Sequence, residues 1–173
     1  MRGAARPGGN GSKTGGVVRR EAASLRYPGR VTRGLGRLLV VRCGERRVAL
    51  PGASLVRVVG ATTVTPVPGS SPEVLGVAQV EGEPVLVLDL ARMVGEIPAA
   101  SASVPAGVQI RVGPADEDET VVLAVDEAEG FVRLPTEAVE PAGEGEGPFT
   151  ATVAVDGESV AVLDPARLGG EAG

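Results

Sequence analysis

The stretch that decides the fold is residues 80–96, VEGEPVLVLDLARMVGE, because it recurs as residues 155–171, VDGESVAVLDPARLGGE. Eleven of the 17 positions are identical, at a constant offset of 75 residues. This period exceeds the roughly 20–50 residues of common solenoid repeats, so it indicates two homologous modules. At about 60 residues each, such modules have only marginal cores of their own. We therefore expect the two modules to pack against each other.

Both modules have the pattern of paired strands. Residues 77–88 and 151–163 each place apolar runs on either side of a Gly-containing turn, and the turn Asp156-Gly157 is a strong hairpin signal. Similar hairpins are predicted over residues 38–50 and 108–125, with a linker of small residues at 98–107. We therefore predict an all-β fold with few short helices, built as small barrels or as a sandwich.

The charge of the chain is divided between two regions. Residues 1–37 hold nine Lys/Arg and one acidic residue, whereas residues 38–173 hold eight Arg and 21 acidic residues. Residues 1–36 are predicted to be a disordered basic tail. Such a tail could instead anchor the protein to nucleic acid or anionic lipid, although the chain has few aromatic residues with which to stack bases.

The composition excludes several kinds of chemistry. The chain has no histidine, one cysteine (Cys43) and no obvious base for its serines, so we expect no catalytic, cofactor-binding or metal-binding site. The acidic run at residues 116–119 lacks the spacing of a calcium loop and is interpreted as a solvated hairpin tip. No apolar run approaches the ~18 residues of a membrane span, and no signal peptide is expected.

Two aspartates, Asp89 and Asp164, occupy equivalent positions in the repeat and could form an acid–base pair. Each aspartate also follows a strand and precedes a short helical pattern, LARM or PARL. In the second copy Pro165 falls at the first helical position, where its missing N–H costs nothing. We therefore interpret both aspartates as N-caps.

One strand has the character of a partner-binding surface. Residues 75–82 (LGVAQVEG) form a predicted strand that runs into a tight turn, and a partner's helix or strand could bind there. The alternative is that Val77 and Val80 fill the interior of a barrel. Their spacing alone does not separate these two interpretations.

Residues 66–95 (PVPGSSPEVLGVAQVEGEPVLVLDLARMVG) resemble the CheW-like coupling proteins of bacterial chemotaxis. In that family a proline-rich loop precedes G-V-x-N-L-R-G and an apolar strand that ends in D-L. The resemblance extends to LLVVRCGERRVALP at 38–51, to VLAVDEAEGFVRLP at 122–135, and to VAVLDPARL at 160–168. It therefore covers the chain except for the basic tail.

The resemblance implies two intertwined five-stranded SH3-like β-barrels with a hydrophobic groove between them. The CheW-like domain would span residues 37–170, as two subdomains at roughly 37–97 and 107–170 that exchange strands. Such proteins are non-catalytic, cytoplasmic adaptors that couple transmembrane chemoreceptors to a CheA-type histidine kinase. The kinase's own CheW-like regulatory domain packs end to end against a barrel, and the receptor's helical cytoplasmic hairpin lies in the groove.

The chain departs from the family pattern in two charges. Where the family has Arg in N-L-R-G this chain has Glu81, and where members often have Glu upstream it has Arg57. We predict that these residues form a charge-swapped ion pair beside the groove, which would alter the choice of partner more than the stability. The predicted partner-binding residues are Arg57, Val58, Gly76, Val77, Gln79, Val80, Glu81 and Gly82.

Three functional classes remain open from the sequence. The first is a chemosensory adaptor that couples receptors to the kinase. The second is a divergent CheW-like regulator that binds the kinase without coupling receptors, which the charge swap would favour. The third is a β module that binds nucleic acid through its Arg-rich tail.

Overall fold

The computed structural model describes residues 36–96, 103–113, 119–133, 139–141 and 147–168. The predicted basic tail lies almost entirely outside these residues, and so does most of the acidic run at 116–119. Both interpretations therefore stay predictions.

The described residues form thirteen strands and one short α-helix, α1. In chain order the elements are β1 (Leu38–Cys43), β2 (Arg46–Pro51), β3 (Leu55–Val59), β4 (Thr62–Thr63), β5 (Val74–Val80), β6 (Glu83–Asp89), α1 (Leu90–Met93), β7 (Ser103–Val104), β8 (Ala106–Arg111), β9 (Thr120–Val125), β10 (Glu127–Val132), β11 (Val139–Pro141), β12 (Phe149–Val155) and β13 (Glu158–Leu163). Two single-turn 3-10 helices, Gly52–Ser54 and Pro165–Arg167, complete the described structure.

The strands form two main sheets, and each sheet combines the two halves of the chain. The six-stranded sheet has the order β10-β1-β2-β13-β12-β11, and the five-stranded sheet has the order β3-β8-β9-β6-β5. The first hairpin of each half thus lies between strands of the other half. Two of the strand pairs that join the halves are parallel, β2 with β13 and β6 with β9.

This exchange explains why the first hairpins are apolar on both faces. In β1, Leu39 and Val41 face a central cluster that both halves share, whereas Leu38 and Val40 face a cluster inside the six-stranded sheet. A third cluster, around Val87 and other valines, lies inside the five-stranded sheet. Because each hairpin strand separates a shared core from a local one, both of its faces are buried and its sequence is a continuous apolar run.

The all-β class is confirmed, and so are the four predicted hairpins. Among the described residues the pairing within each sheet is linear and does not close into a ring, and one sheet has six strands instead of five. The sixth is β11, whose counterpart in the first half is reduced to a single bridge between Thr65 and Val77. The predicted linker at 98–107 is wrong over its second part, because β7 and the start of β8 lie there and β7 pairs with β4.

The N-cap interpretation of the two aspartates is confirmed. The Asp89 carboxylate accepts a hydrogen bond from the Arg92 backbone N–H at 3.3 Å, and the Asp164 carboxylate accepts one from Ala166 at 3.1 Å. Both aspartates are buried. Burial raises the pKa of Asp164, although its hydrogen bond from Ala166 and the nearby charge of Arg167 oppose that rise. The division of the chain into two subdomains stays a prediction.

Candidate partner-binding surface

The predicted surface is centred on the hairpin tip between β5 and β6. Glu81 and Gly82 have φ angles of 51° and 85°, which is the left-handed pair that a type I′ hairpin turn requires. The equivalent tip between β12 and β13 repeats this geometry with Asp156 and Gly157. Glu81 therefore projects from the end of the hairpin, with its side chain 71% exposed.

The predicted ion pair between Arg57 and Glu81 is present. Arg57 lies on β3 and Glu81 follows β5, and these two strands are the opposite edges of the five-stranded sheet. The ion pair therefore connects the two edges of the sheet. We call the end of the sheet where Arg57, Gln109 and Glu81 lie the mouth of the five-stranded sheet. Inside this mouth Arg57 faces Gln109 across the β3–β8 ladder. The Nε atom of Arg57 and the Oε1 atom of Gln109 are buried, and neither has a hydrogen-bond partner among the described residues.

The other predicted residues differ in exposure, and Val77 is half-buried. Val58, Gln79 and Gly82 are exposed, and the Val58 side chain is one of three large apolar side chains that the described residues leave in solvent. Gly76 and Val80 are buried. Val80 packs in the cluster inside the five-stranded sheet, in agreement with the alternative interpretation that it fills the interior.

Gly76 has a structural reason to be glycine. Its φ angle is 145°, and a Cβ atom built there would lie 2.0 Å from the backbone oxygen of Thr65. This close approach allows Val77 to exchange two backbone hydrogen bonds with Thr65, at 2.8 and 2.9 Å. Gly76 thus holds the segment before β5 against the strand. That the predicted residues bind a partner stays a prediction.

The six-stranded sheet has a different arrangement at its own mouth, the end near the Asp156 tip. Arg47 donates to Glu129 at 2.8 Å and to Glu158 at 3.3 Å, and it lies 3.5 Å from Asp156. On the neighbouring strand Arg42 donates to Glu127 at 2.6 Å. This network was not predicted from the sequence. The only local sign of a charged cluster is the pair Arg46-Arg47 at the start of β2. The acidic partners of Arg47 lie in the other half of the chain, so the sequence around Arg47 does not reveal them.

Cys43 is a free thiol in the buried core. Burial and nearby carboxylates raise the pKa of Cys43 to about 12, so its thiol stays protonated near neutral pH. Among the described residues there is no group of three or more His, Cys, Asp or Glu side chains arranged to hold a metal ion. Within the same part of the chain, no helix is long and apolar enough to cross a membrane.

Comparisons with known proteins agree with this architecture. A family model described as a CheW-like domain matches residues 37–172. The crystal structure of the scaffolding protein TtCheW from Thermoanaerobacter tengcongensis superimposes with a TM-score of 0.64 and 15% sequence identity, covering 74% of this chain and 88% of that chain. No curated protein sequence matches the chain significantly.

Proposed function

We propose, since this chain belongs to the CheW-like domain family, that it is a non-catalytic cytoplasmic adaptor coupling chemoreceptors to a CheA-type histidine kinase. The observation that carries the proposal is the exposed hairpin tip at Glu81-Gly82, held against the β3 edge by Arg57. A charged tip paired with Arg57, next in sequence to the exposed Val58, is suited to a protein interface, in which charged rim residues select the partner. The receptor hairpin would bind in the groove between the two sheets, beside this tip, and the kinase's CheW-like regulatory domain would pack end to end against a barrel.

The charge swap favours a second candidate, a regulator that binds the kinase without coupling receptors. Glu81 presents a negative charge where the family pattern has a positive one. A receptor shaped for the usual charge would meet a like charge here, and like charges across an interface reject a partner. A kinase that carries its own compensating cation would still bind.

The deciding experiment is an affinity pull-down of the full chain from the native host, with the captured proteins identified by mass spectrometry. Wild type is compared with Glu81→Arg and with Asp156→Arg, the matched control at the equivalent tip of the other sheet. Capture of both kinase and receptor supports the adaptor, and capture of the kinase alone supports the regulator. If neither is captured, both candidates are wrong.

The substitutions separate the tip from the remainder of the surface. Glu81→Arg should change which receptors are recovered, because it reverses the charge that faces the partner. Asp156→Arg should leave the captured proteins unchanged if only the Glu81 tip faces the partner. Circular dichroism of each variant confirms that it is folded before the captures are compared.

A further inference from the structure

Strand β10 forms an edge of the six-stranded sheet with an unusual combination of side chains. Among the described residues it pairs with β1 on one side only. Its exposed positions are Glu127, Glu129 and Phe131, and the Phe131 side chain is 48% exposed. An edge strand with free backbone groups and an exposed aromatic side chain is a template for binding another chain segment.

The end of this edge nearest to the Asp156 tip carries more negative than positive charge. Arg42 and Arg47 together contact four carboxylates, those of Glu127, Glu129, Asp156 and Glu158. The side chains of Asp156 and Glu158 remain 83% and 51% exposed, so these carboxylates can accept further cationic partners. We call β10 together with the Asp156 tip the acidic edge.

The basic N-terminal segment enters the fold at the opposite end of this same strand. Residue Leu38, the first of β1, pairs with Val132, the last of β10. The Arg37 guanidinium lies 3.8 Å above the centre of the Phe131 ring, a cation–π contact. Residues 1–35 hold eight Lys/Arg and one acidic residue, a charge of +7, and they join the described chain at this point.

The tether is long enough for the segment to reach the whole acidic edge. Thirty-five residues of extended chain reach about 115 Å, whereas the six residues of β10 span about 20 Å. A segment attached beside its binding site has an effective concentration in the millimolar range, so weak ionic contacts suffice for binding. The five-stranded sheet lacks these features, because its edge strands β3 and β5 contain neither an acidic nor an aromatic residue.

We propose that residues 1–35 bind in cis along the acidic edge, with their basic side chains against the carboxylates of β10 and of the Asp156 tip. The contacts are ionic and exposed, so the binding weakens as salt rises.

The test is paramagnetic relaxation in the 15N-labelled full chain. A spin label is attached at Ser12→Cys in a Cys43→Ala background, so that the label has a single site. In low salt we expect the amide signals of β10 and of the Asp156 tip to lose at least half of their intensity, with the Glu81 tip unaffected. In about 1 M salt, where screening acts over about 3 Å, the loss should disappear.

Two further arms separate the proposal from its alternatives. Glu127→Gln with Asp156→Asn should reduce the intensity loss at least twofold, while the matched pair Glu81→Gln with Glu83→Gln leaves it unchanged. A loss that is uniform, that centres on the Glu81 tip or that persists in high salt overturns the proposal. A loss that grows with protein concentration also overturns it, because the segment then binds a second copy.

Discussion

The two sheets end in the same hairpin turn but surround it with opposite chemistry. At the mouth of the six-stranded sheet, Arg47 binds Glu129, Glu158 and the tip residue Asp156. At the mouth of the five-stranded sheet, the residue equivalent to Arg47 at the repeat offset of 75 is Val122, which is buried in an apolar cluster. A repeat that preserved the backbone therefore diverged at the positions that surround the tips.

The facing strands show the same divergence. Arg47 pairs across the ladder with Arg42, whereas Val122 pairs with Gln109. Gln109 is buried and donates from Nε2 to the Thr120 hydroxyl at 3.0 Å. The mouth of the five-stranded sheet is thus closed by one exposed ion pair above an uncharged interior, which leaves Glu81 largely in solvent. The difference teaches that two equally shaped and largely exposed tips have different surroundings, a charged network below Asp156 and an uncharged interior with a single ion pair below Glu81.

The largest expected effect concerns the core that the two sheets share. Leu123 on β9 is fully buried in the central cluster, so Leu123→Ala should lower the free energy of unfolding by about 3 kcal/mol. Because the exchanged hairpins join the sheets, we expect one unfolding transition for both. Chemical denaturation with probes on each sheet checks this, and two separate transitions would show that the sheets are independent.

The next largest loss of stability is expected at Gly76, a position that is not glycine in the second half. Gly76 is equivalent to Ala151 at the repeat offset, and only Gly76 has its would-be Cβ against the Thr65 oxygen. Gly76→Ala should destabilise the fold by about 2–3 kcal/mol through strain at a positive φ angle. Ala151→Gly is the matched control, with a loss of about 1 kcal/mol from backbone entropy. Equal losses in thermal or urea unfolding would contradict the assigned strain.

Arg47 tests the charged mouth directly. Arg47→Met removes the guanidinium that contacts three carboxylates, and we expect a loss of about 1 kcal/mol, because the contacts are partly exposed. The loss should shrink as salt screens the remaining carboxylates from one another. Urea denaturation at two salt concentrations measures it, with Arg47→Lys as the conservative control. A salt-independent loss would indicate that packing of the Arg stem dominates.

The smallest effect is expected at the other mouth. A double-mutant cycle with Arg57→Gln and Glu81→Gln should give a coupling energy below about 1 kcal/mol, because the Glu81 side chain is largely exposed and that of Arg57 is partly exposed. The same variants should alter partner capture, since the charge at Glu81 faces outward. A coupling energy well above that of the Arg47 network would reverse the comparison between the mouths.

Much of the strand pattern could be predicted from the residues alone. The Glu81-Gly82 and Asp156-Gly157 turns, the hairpins that they join, and the Asp89 and Asp164 caps all depend on neighbours within a few residues. The Arg57–Glu81 pair was also predicted, although on a family pattern and not on spacing.

The remainder depends on contacts between distant segments. Strand β7 was missed because two residues of Ser-Val carry no strand signal until Thr62 and Thr63 pair with them. The Arg47 network joins residues that are 82 to 111 positions apart, so no local pattern could reveal it. Burial of Gly76 and Val80 likewise follows from what packs against β5, which the alternation of the strand does not specify.

The order of residues by itself determined the duplication, the hairpins and their turns, because these follow from short-range backbone geometry and from identity between the two copies. Only the tertiary structure decided which hairpin pairs with which half, and hence that the Asp156 tip adjoins a network of two arginines and several carboxylates while the Glu81 tip has a single ion pair with Arg57. The physical reason is that strand pairing brings together side chains that are remote in the chain, and their charges are neutralised or left exposed only after that pairing forms.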